Sequence, residues 1–356
     1  MTRSTKIRLG VAALCVFGAL AILAQSTDEL IRSTVSNVLA PTIVLDKEGN
    51  YVVGLKPYEF KLYDNDKLQE IKVDEIFAPV SLVVAIQADA KAENALPRIQ
   101  RVGTMLQTMV AGDQGEVAII GFDHRIQKLQ DFTTDPDKIT EALKQLKPGS
   151  SQSVLTDTVV EATRMLRSRP KDRRKVILLI AETRDKGSSL KPREALTNLE
   201  ISNVMLYSVN MSRFVNELTA KPPLPRPDPI PPAARHVPAG GAQTPTTTAQ
   251  MTGAPGYGID FAPVITEIMR SVKAVFVSNP TEIFTRYTGG KEYAFVTQRD
   301  LERALGEVSR EIHNQYLITY NPNNKGEGGF HKIRVEVARR DLDVRTRDGY
   351  WLATLQ

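Results

Sequence analysis

The chain lacks the residues that staple small scaffolds together. Its only cysteine, Cys15, lies in an apolar run near the N-terminus. The remainder can therefore form no disulfide framework, no zinc-thiolate site and no cysteine nucleophile, and its stability must come from core burial. Histidine is scarce too: His124, His236, His313 and His331 show no paired metal-ligand spacing. His124 follows an aspartate at a strand end and reads as a solvated loop residue. His236 falls in a Pro-rich stretch, and His313 lies near a helix C-terminus, where a contact with the helix dipole suffices. There is no G-x-x-x-x-G-K-[ST], and no G-x-G-x-x-G after a strand, so phosphate and dinucleotide binding are unsupported. Gly149-Ser-Ser-Gln-Ser153 lacks the Gly-x-Ser-x-Gly spacing of a nucleophile elbow and reads as a loop and helix N-cap. The net charge of +5 comes from interspersed acids and bases, as in Lys171-Asp-Arg-Arg-Lys175. That pattern predicts a mildly basic solvated surface and no nucleic-acid partner.

An apolar fraction of 42% with 24% charged residues is ordinary for globular cores, and 356 residues allow two or three domains. Arg3, Lys6 and Arg8 precede an uncharged run from Leu9 to Ala24, which predicts a secretory signal peptide over residues 1–24. Ile22 stands where cleavage prefers a small residue, so an uncleaved anchor stays open, and membrane contact is expected only in that case. Either way the folded part is expected outside the cytoplasm, secreted or periplasmic, in the cell envelope.

Residues 27–78 read as strand and turn: Val38 to Leu45, Glu59 to Tyr63, then Lys67 to Phe77 after the turn Asp64-Asn-Asp66. Residues 315–356 repeat the style, with strands at Gln315 to Tyr320, His331 to Ala338 and Asp343 to Arg347. Neither block has enough strands or apolar surface to fold alone, which predicts that they pair into one small β-sandwich. Trp351 is expected to plug it. Between them, residues 79–314 alternate apolar strands (Leu82 to Ile86, Glu116 to Phe122, Lys175 to Ala181, Val204 to Val209) with helical periods (Asn94 to Val110, Asp135 to Leu146, Val154 to Leu166, Gln298 to His313). A further helix is expected at Phe261 to Val275. Continuous apolar strands between helices indicate a doubly wound α/β domain. Lys221 to Tyr257, rich in Pro, Gly, Thr and Ala, is expected to be a disordered insertion.

Several motifs recur in a fixed order. Leu45-Asp-Lys-Glu-Gly49 and Gly54-Leu-Lys-Pro-Tyr-Glu-Phe-Lys-Leu-Tyr63 open the chain, and Pro79-Val-Ser-Leu82 leads into the strand ending Gln87-Ala-Asp-Ala-Lys91. Tyr316-Leu-Ile-Thr-Tyr-Asn-Pro322, Lys332-Ile-Arg-Val335 and Arg347-Asp-Gly-Tyr350 close it. In this the chain resembles the von Willebrand factor A-related proteins described from Acidobacteria, over nearly everything after residue 24. The resemblance implies a von Willebrand factor A-type domain inserted in the sandwich, with a metal-dependent adhesion site at the sheet's carboxyl edge. The family's Asp-x-Ser-x-Ser falls on Gln87, Asp89 and Lys91, its second-loop threonine on Ser153, and its third-loop aspartate on Glu182. A hard cation wants oxygen ligands, and Lys91 brings a competing charge. The site therefore reads as degenerate, with Lys91 paired to Asp89 or Glu182. No cofactor is expected; if magnesium binds, Asp89, Ser153 and Glu182 would hold it.

Together these features predict an extracytoplasmic module that binds a protein or glycan partner in the cell envelope for adhesion or assembly, and no catalysis. An enzyme of unknown class would need a cluster of perturbed carboxylates or a Ser/His pair that the sequence does not assemble. A ligand-free scaffold is the other rival.

Overall fold

The computed structural model describes residues 37–74, 78–185, 187–212 and 279–352. The expected signal peptide, the Pro-rich insertion and the helix at Phe261 to Val275 lie outside them. Four strands open the described chain: β1 (Val38–Leu45), β2 (Phe60–Asp64), β3 (Lys67–Leu68) and β4 (Ile71–Asp74). Six follow: β5 (Val80–Gln87), β6 (Glu116–Phe122), β7 (Ile126–Thr133), β8 (Arg174–Ala181), β9 (Val204–Asn210) and β10 (Glu292–Ala294). Four more close it: β11 (Tyr316–Tyr320), β12 (Gly329–Val337), β13 (Asp343–Arg345) and β14 (Gly349–Leu352).

The first and last strands interleave. One sheet has the order β13-β1-β11-β4 and the other β14-β12-β2-β3, so each contains strands from both ends of the chain. Alternation along β12 turns His331, Ile333 and Val335 inward and Lys332, Arg334 and Glu336 outward. Phe60, Leu62, Ile318, Tyr316 and Val335 meet in a shared core. At its centre the buried Asp64 carboxylate accepts from the Tyr320 and Tyr350 hydroxyls at 2.9 and 2.7 Å. His331 Nδ1 (2.7 Å) and Asn324 Nδ2 (3.1 Å) reach its other oxygen. With two contacts on each oxygen, the buried carboxyl group has no unpaired atom.

Three expectations need correction. The strand expected from Lys67 to Phe77 is two strands in different sheets, because the chain crosses over at Gln69. The buried Gln69 amide fixes that crossing by bonding Asn323 through both its nitrogen (2.7 Å) and its oxygen (3.0 Å). The strand expected to Arg347 stops at Arg345, because Arg347 turns inward. Trp351 is not the plug of the sandwich. Successive strand residues face opposite sides, so the buried Tyr350 fills the sandwich while Trp351 packs on the core of the α/β domain, beside Phe330 and under Arg193.

The middle domain is a six-stranded sheet of order β10-β9-β8-β5-β6-β7. All its pairs are parallel except β6 with β7. Every residue of β5 and β6 is buried, as expected of strands covered on both faces. The helical run 96–111 (α1), α2 (Pro136–Lys144) and, further on, the helix Gln298–His313 cover one face. α3 (Leu155–Arg167), α4 (Pro192–Ile201) and α5 (Pro280–Thr288) cover the other. The last helix, α6 (Gln298–His313), starts at a capping box in which Thr297 and Asp300 bond reciprocally. α1 begins later than the expected Asn94 and ends in a wide π turn, Leu106–Ala111. Gly112 follows it at φ 76°, a conformation that glycine adopts without strain.

Arginines join the two units. Arg347 donates to the Leu39 carbonyl (3.1 Å) and to Glu200 of α4 (3.0 Å), with both side chains buried. Arg345 pairs with the buried Glu311 of α6 at 2.6 Å. Burial pushes Glu200 from 4.5 up to about 7, against the opposing pull of Arg347. An acid whose folded value is raised gives stability that is complete below its unfolded value and lost as pH climbs through the folded one. The Glu200 contribution should therefore decline between pH 4.5 and about 7, by on the order of 3 kcal/mol. Urea unfolding of the native protein and of Glu200→Gln across that range checks this. The variant should lose that segment of the pH dependence, and parallel curves would refute the assignment.

Candidate functional site

The sheet order reverses at β5 and β8. After β5 the chain turns to α1 on one face, and after β8 to α4 on the other, which opens a crevice at the carboxyl edge where such sheets hold ligands. The loops there are stitched together by backbone bonds: Ala88 N to Phe122 O (2.8 Å), Gly149 N to Ala88 O (2.7 Å), Ala90 N to Ser150 O (2.9 Å) and Val154 N to Asp123 O (2.8 Å). Those bonds join residues 88–95, 123–125 and 147–153, and the Glu182 N–H on Gln87 and the Thr156 N–H on Asp185 tie residues 182–185 and 187–190 to them, so the described loops form one rim.

All five residues picked from the sequence stand on that rim or at its base. Gln87 is fully buried and bridges the crevice. Its amide nitrogen donates to Asp89 Oδ2 at 2.9 Å, and its oxygen accepts the Glu182 backbone N–H at 2.8 Å. Asp89, buried, also accepts from the Ala92 N–H at 3.1 Å. The Lys91 ammonium lies 3.9 Å from the Glu182 carboxylate; Lys91 is 42% exposed and Glu182 11%. Ser153 is buried at the end of the second loop, just before α3.

Two carboxylates that the resemblance did not single out do as much to shape the site. Asp123 directly follows β6, is buried, and takes the N–H groups of Ser150 (3.0 Å) and Arg125 (2.9 Å). Burial works to raise its carboxyl, but these bonds and His124 outweigh it and hold it below the usual range. A Cβ on Gly149 would sit 2.2 Å from Asp123 Oδ2, so only glycine allows that approach. Asp185 accepts the N–H of Thr156 in the first turn of α3 at 2.9 Å, and those of Gly187 and Ser188 in its own loop. It too is held low by those bonds against burial, as suits an acid at a helix N-terminus. The sequence signal for both was present, an aspartate at or just after a strand's carboxyl end, but their partners are set by loop packing.

His124 Nδ1 lies 2.9 Å from both Asp123 Oδ2 and Ser150 Oγ. One ring nitrogen serves both contacts, whereas a nucleophile relay needs the acid and the hydroxyl on different nitrogens. His313, outside the site, contacts the Ser309 carbonyl at 2.7 Å. Among the described residues, no three His, Cys, Asp or Glu side chains gather as metal ligands.

A model of the von Willebrand factor type A domain matches residues 90–184, from the loop after β5 to the loop after β8. That part of the chain is therefore von Willebrand factor A-related. A search of curated proteins finds no match. Among solved structures, the vWF domain of the type V pili tip protein Mfa5 from Porphyromonas gingivalis is 21% identical over 31% of this chain, which spans 40% of that one, with a TM-score of 0.27. An aerotolerance-related membrane protein from Bacteroides fragilis is 12% identical, over 65% of this chain and 99% of its own, with a TM-score of 0.38. Proximal thread matrix protein 1 from the mussel byssus is 11% identical, over 76% and 51%, with a TM-score of 0.40.

Gln87→Leu keeps the bulk and removes the bridge, leaving the Glu182 N–H without its acceptor and Asp89 without one donor. Each buried group left unpaired should cost about 1–3 kcal/mol, read as a lower urea midpoint. A change below about 0.5 kcal/mol would show that the loops hold without the amide.

Proposed function

We propose that this chain is an extracytoplasmic binding module whose carboxyl-edge site works without a metal ion and engages a protein or glycan partner in the cell envelope. The observation that carries the reading is the Gln87 bridge. Where a hard cation would need a bare carboxylate, a neutral amide is already committed to Asp89 and to the Glu182 backbone. Lys91 approaches Glu182 from the solvent side. Three further carboxylates around the site are engaged as well, Asp123 and Asp185 by backbone N–H groups and Asp157 of α3 by those of Ser189 and Leu190. Mg²⁺ demands near-octahedral oxygen coordination, and this donor set does not fit it.

The edge still has what a binding surface requires: four rigid loops on a buried sheet, open to solvent. Chemistry has little to work with there, since His124 offers one nitrogen to two partners. Export is supported by the basic start and the apolar run Leu9 to Ala24. No helix of the described residues is long and apolar enough to cross a membrane.

Calorimetry tests the metal-free site. The native protein should bind Mg²⁺ no tighter than roughly millimolar. Gln87→Asp combined with Lys91→Ser restores a carboxylate and removes the competing ammonium, and should bind measurably. A micromolar isotherm from the native chain would overturn the reading.

A further inference from the structure

The rim segregates charge by depth. Its acids point inward: Asp89, Asp123 and Glu182 are buried, and Asp185 is spent on α3 and its own loop. Among the described residues its bases point outward: Lys91, Arg125, Lys147 and Arg184, on four different loops, are exposed, and His124 is 44% exposed beside them. The side chains of Arg125, Lys147 and Arg184 make no hydrogen bond or ion pair with another described residue, whereas neighbouring surface bases such as Lys128 and Arg164 are paired to acids. Glu93 is the sole exposed acid on the described rim segments. The outer surface of the crevice is thus cationic, although its interior is lined with carboxylates.

We infer that the rim recognises an acidic polypeptide segment, whose carboxylates are met by Lys91, Arg125, Lys147 and Arg184 in place of a bound cation. This rests on the metal-free reading above. Clustered cations over rigid, low-dielectric walls focus the field outward and steer anionic partners. The described rim segments contain no Phe, Tyr or Trp, and sugars or bases would want a broad apolar ring face on which to stack. They carry instead short polar side chains, Ser150, Ser151 and Ser189, among exposed loop backbone, which suits hydrogen bonding to an extended peptide. The cations belong to four separate loops and not to one helix or strand. A few carboxylates on one segment can reach them, whereas a long polyanion would want a continuous track.

The probe is a fluorescent alternating Glu-Gly peptide, compared with its Gln-Gly counterpart by anisotropy in EDTA at low salt. The acidic peptide should bind and the neutral one should not, and affinity should fall roughly tenfold or more as salt is raised past physiological strength. Arg125→Gln, Lys147→Gln and Arg184→Gln together should weaken binding by roughly tenfold or more while leaving the melting temperature unchanged, since these side chains hold no other described residue. Equal binding of the two peptides, or no loss in the triple variant, overturns the inference. So does tighter binding of heparin through the same three residues, which would assign the surface to a sulfated glycan. Absence of peptide binding with and without Mg²⁺ overturns the acidic partner but leaves the metal-free reading to its calorimetric test. Binding that appears only with Mg²⁺ overturns the metal-free reading itself.

Discussion

The side-chain amide of Gln87 spans the gap that opens between β5 and β8, where the chain leaves the two strands toward opposite faces of the sheet. Such a gap is an electrostatic problem, because the Asp89 carboxylate is buried there. A second carboxylate at position 87 would repel Asp89, and that repulsion is what a divalent cation relieves in a metal site. An amide relieves it differently: it offers a donor to Asp89 and an acceptor to the Glu182 backbone in one group. Asp123 and Asp185 follow the same rule, each closed off by backbone N–H groups, so these loops are held by hydrogen bonds that need no ion.

The sandwich depends on a comparable economy. The short motifs whose order marks the chain supply its buried polar contacts. The Tyr316 hydroxyl accepts from the Leu55 N–H and donates to the Val52 carbonyl, tying the Gly54-Leu55 turn to β11. Tyr320 and Tyr350 meet on Asp64, and Arg347 leaves the sandwich to reach Glu200. Residues nearly 300 positions apart in sequence, Asp64 and Tyr350, are thus bound within a region that neither end of the chain could complete alone. Buried polar contacts of this kind favour one arrangement, because breaking any of them strands a buried polar group.

Much of this architecture was legible in the sequence because it follows from periodicity. Continuous Val, Ile and Leu in β5 and β8 announced a covered parallel sheet, and strict alternation in β12 announced a one-sided strand. The poverty of each terminal block announced their pairing. The crossover at Gln69 was not legible, since a buried glutamine between two strands resembles any polar interruption until Asn323 is placed beside it. The roles of Tyr350 and Trp351 were confused for a related reason: alternation says that the two face opposite sides, but not which side is the sandwich. At the site, the substitutions at Gln87 and Lys91 stood out against the resemblance. The commitments of Asp123 and Asp185 come from loop backbone N–H groups that only the folded chain brings near.

The chain enters and leaves the inserted domain at one end of a single strand pair. β4 runs out at Asp74, which lies in register with Leu317 near the start of β11. A tug on the rim, transmitted through the rigid sheet, therefore reaches the sandwich along two neighbouring strands at once and in the same direction. It does not unzip β4 from β11, because both move together. The strain falls instead on the adjacent ladder between β11 and β1, where Val38 to Thr42 face Tyr316 to Tyr320. Pulled lengthwise, those rungs resist in parallel and must yield together, so the mounting is stiffer to a load along the strands than to one that peels them apart in turn.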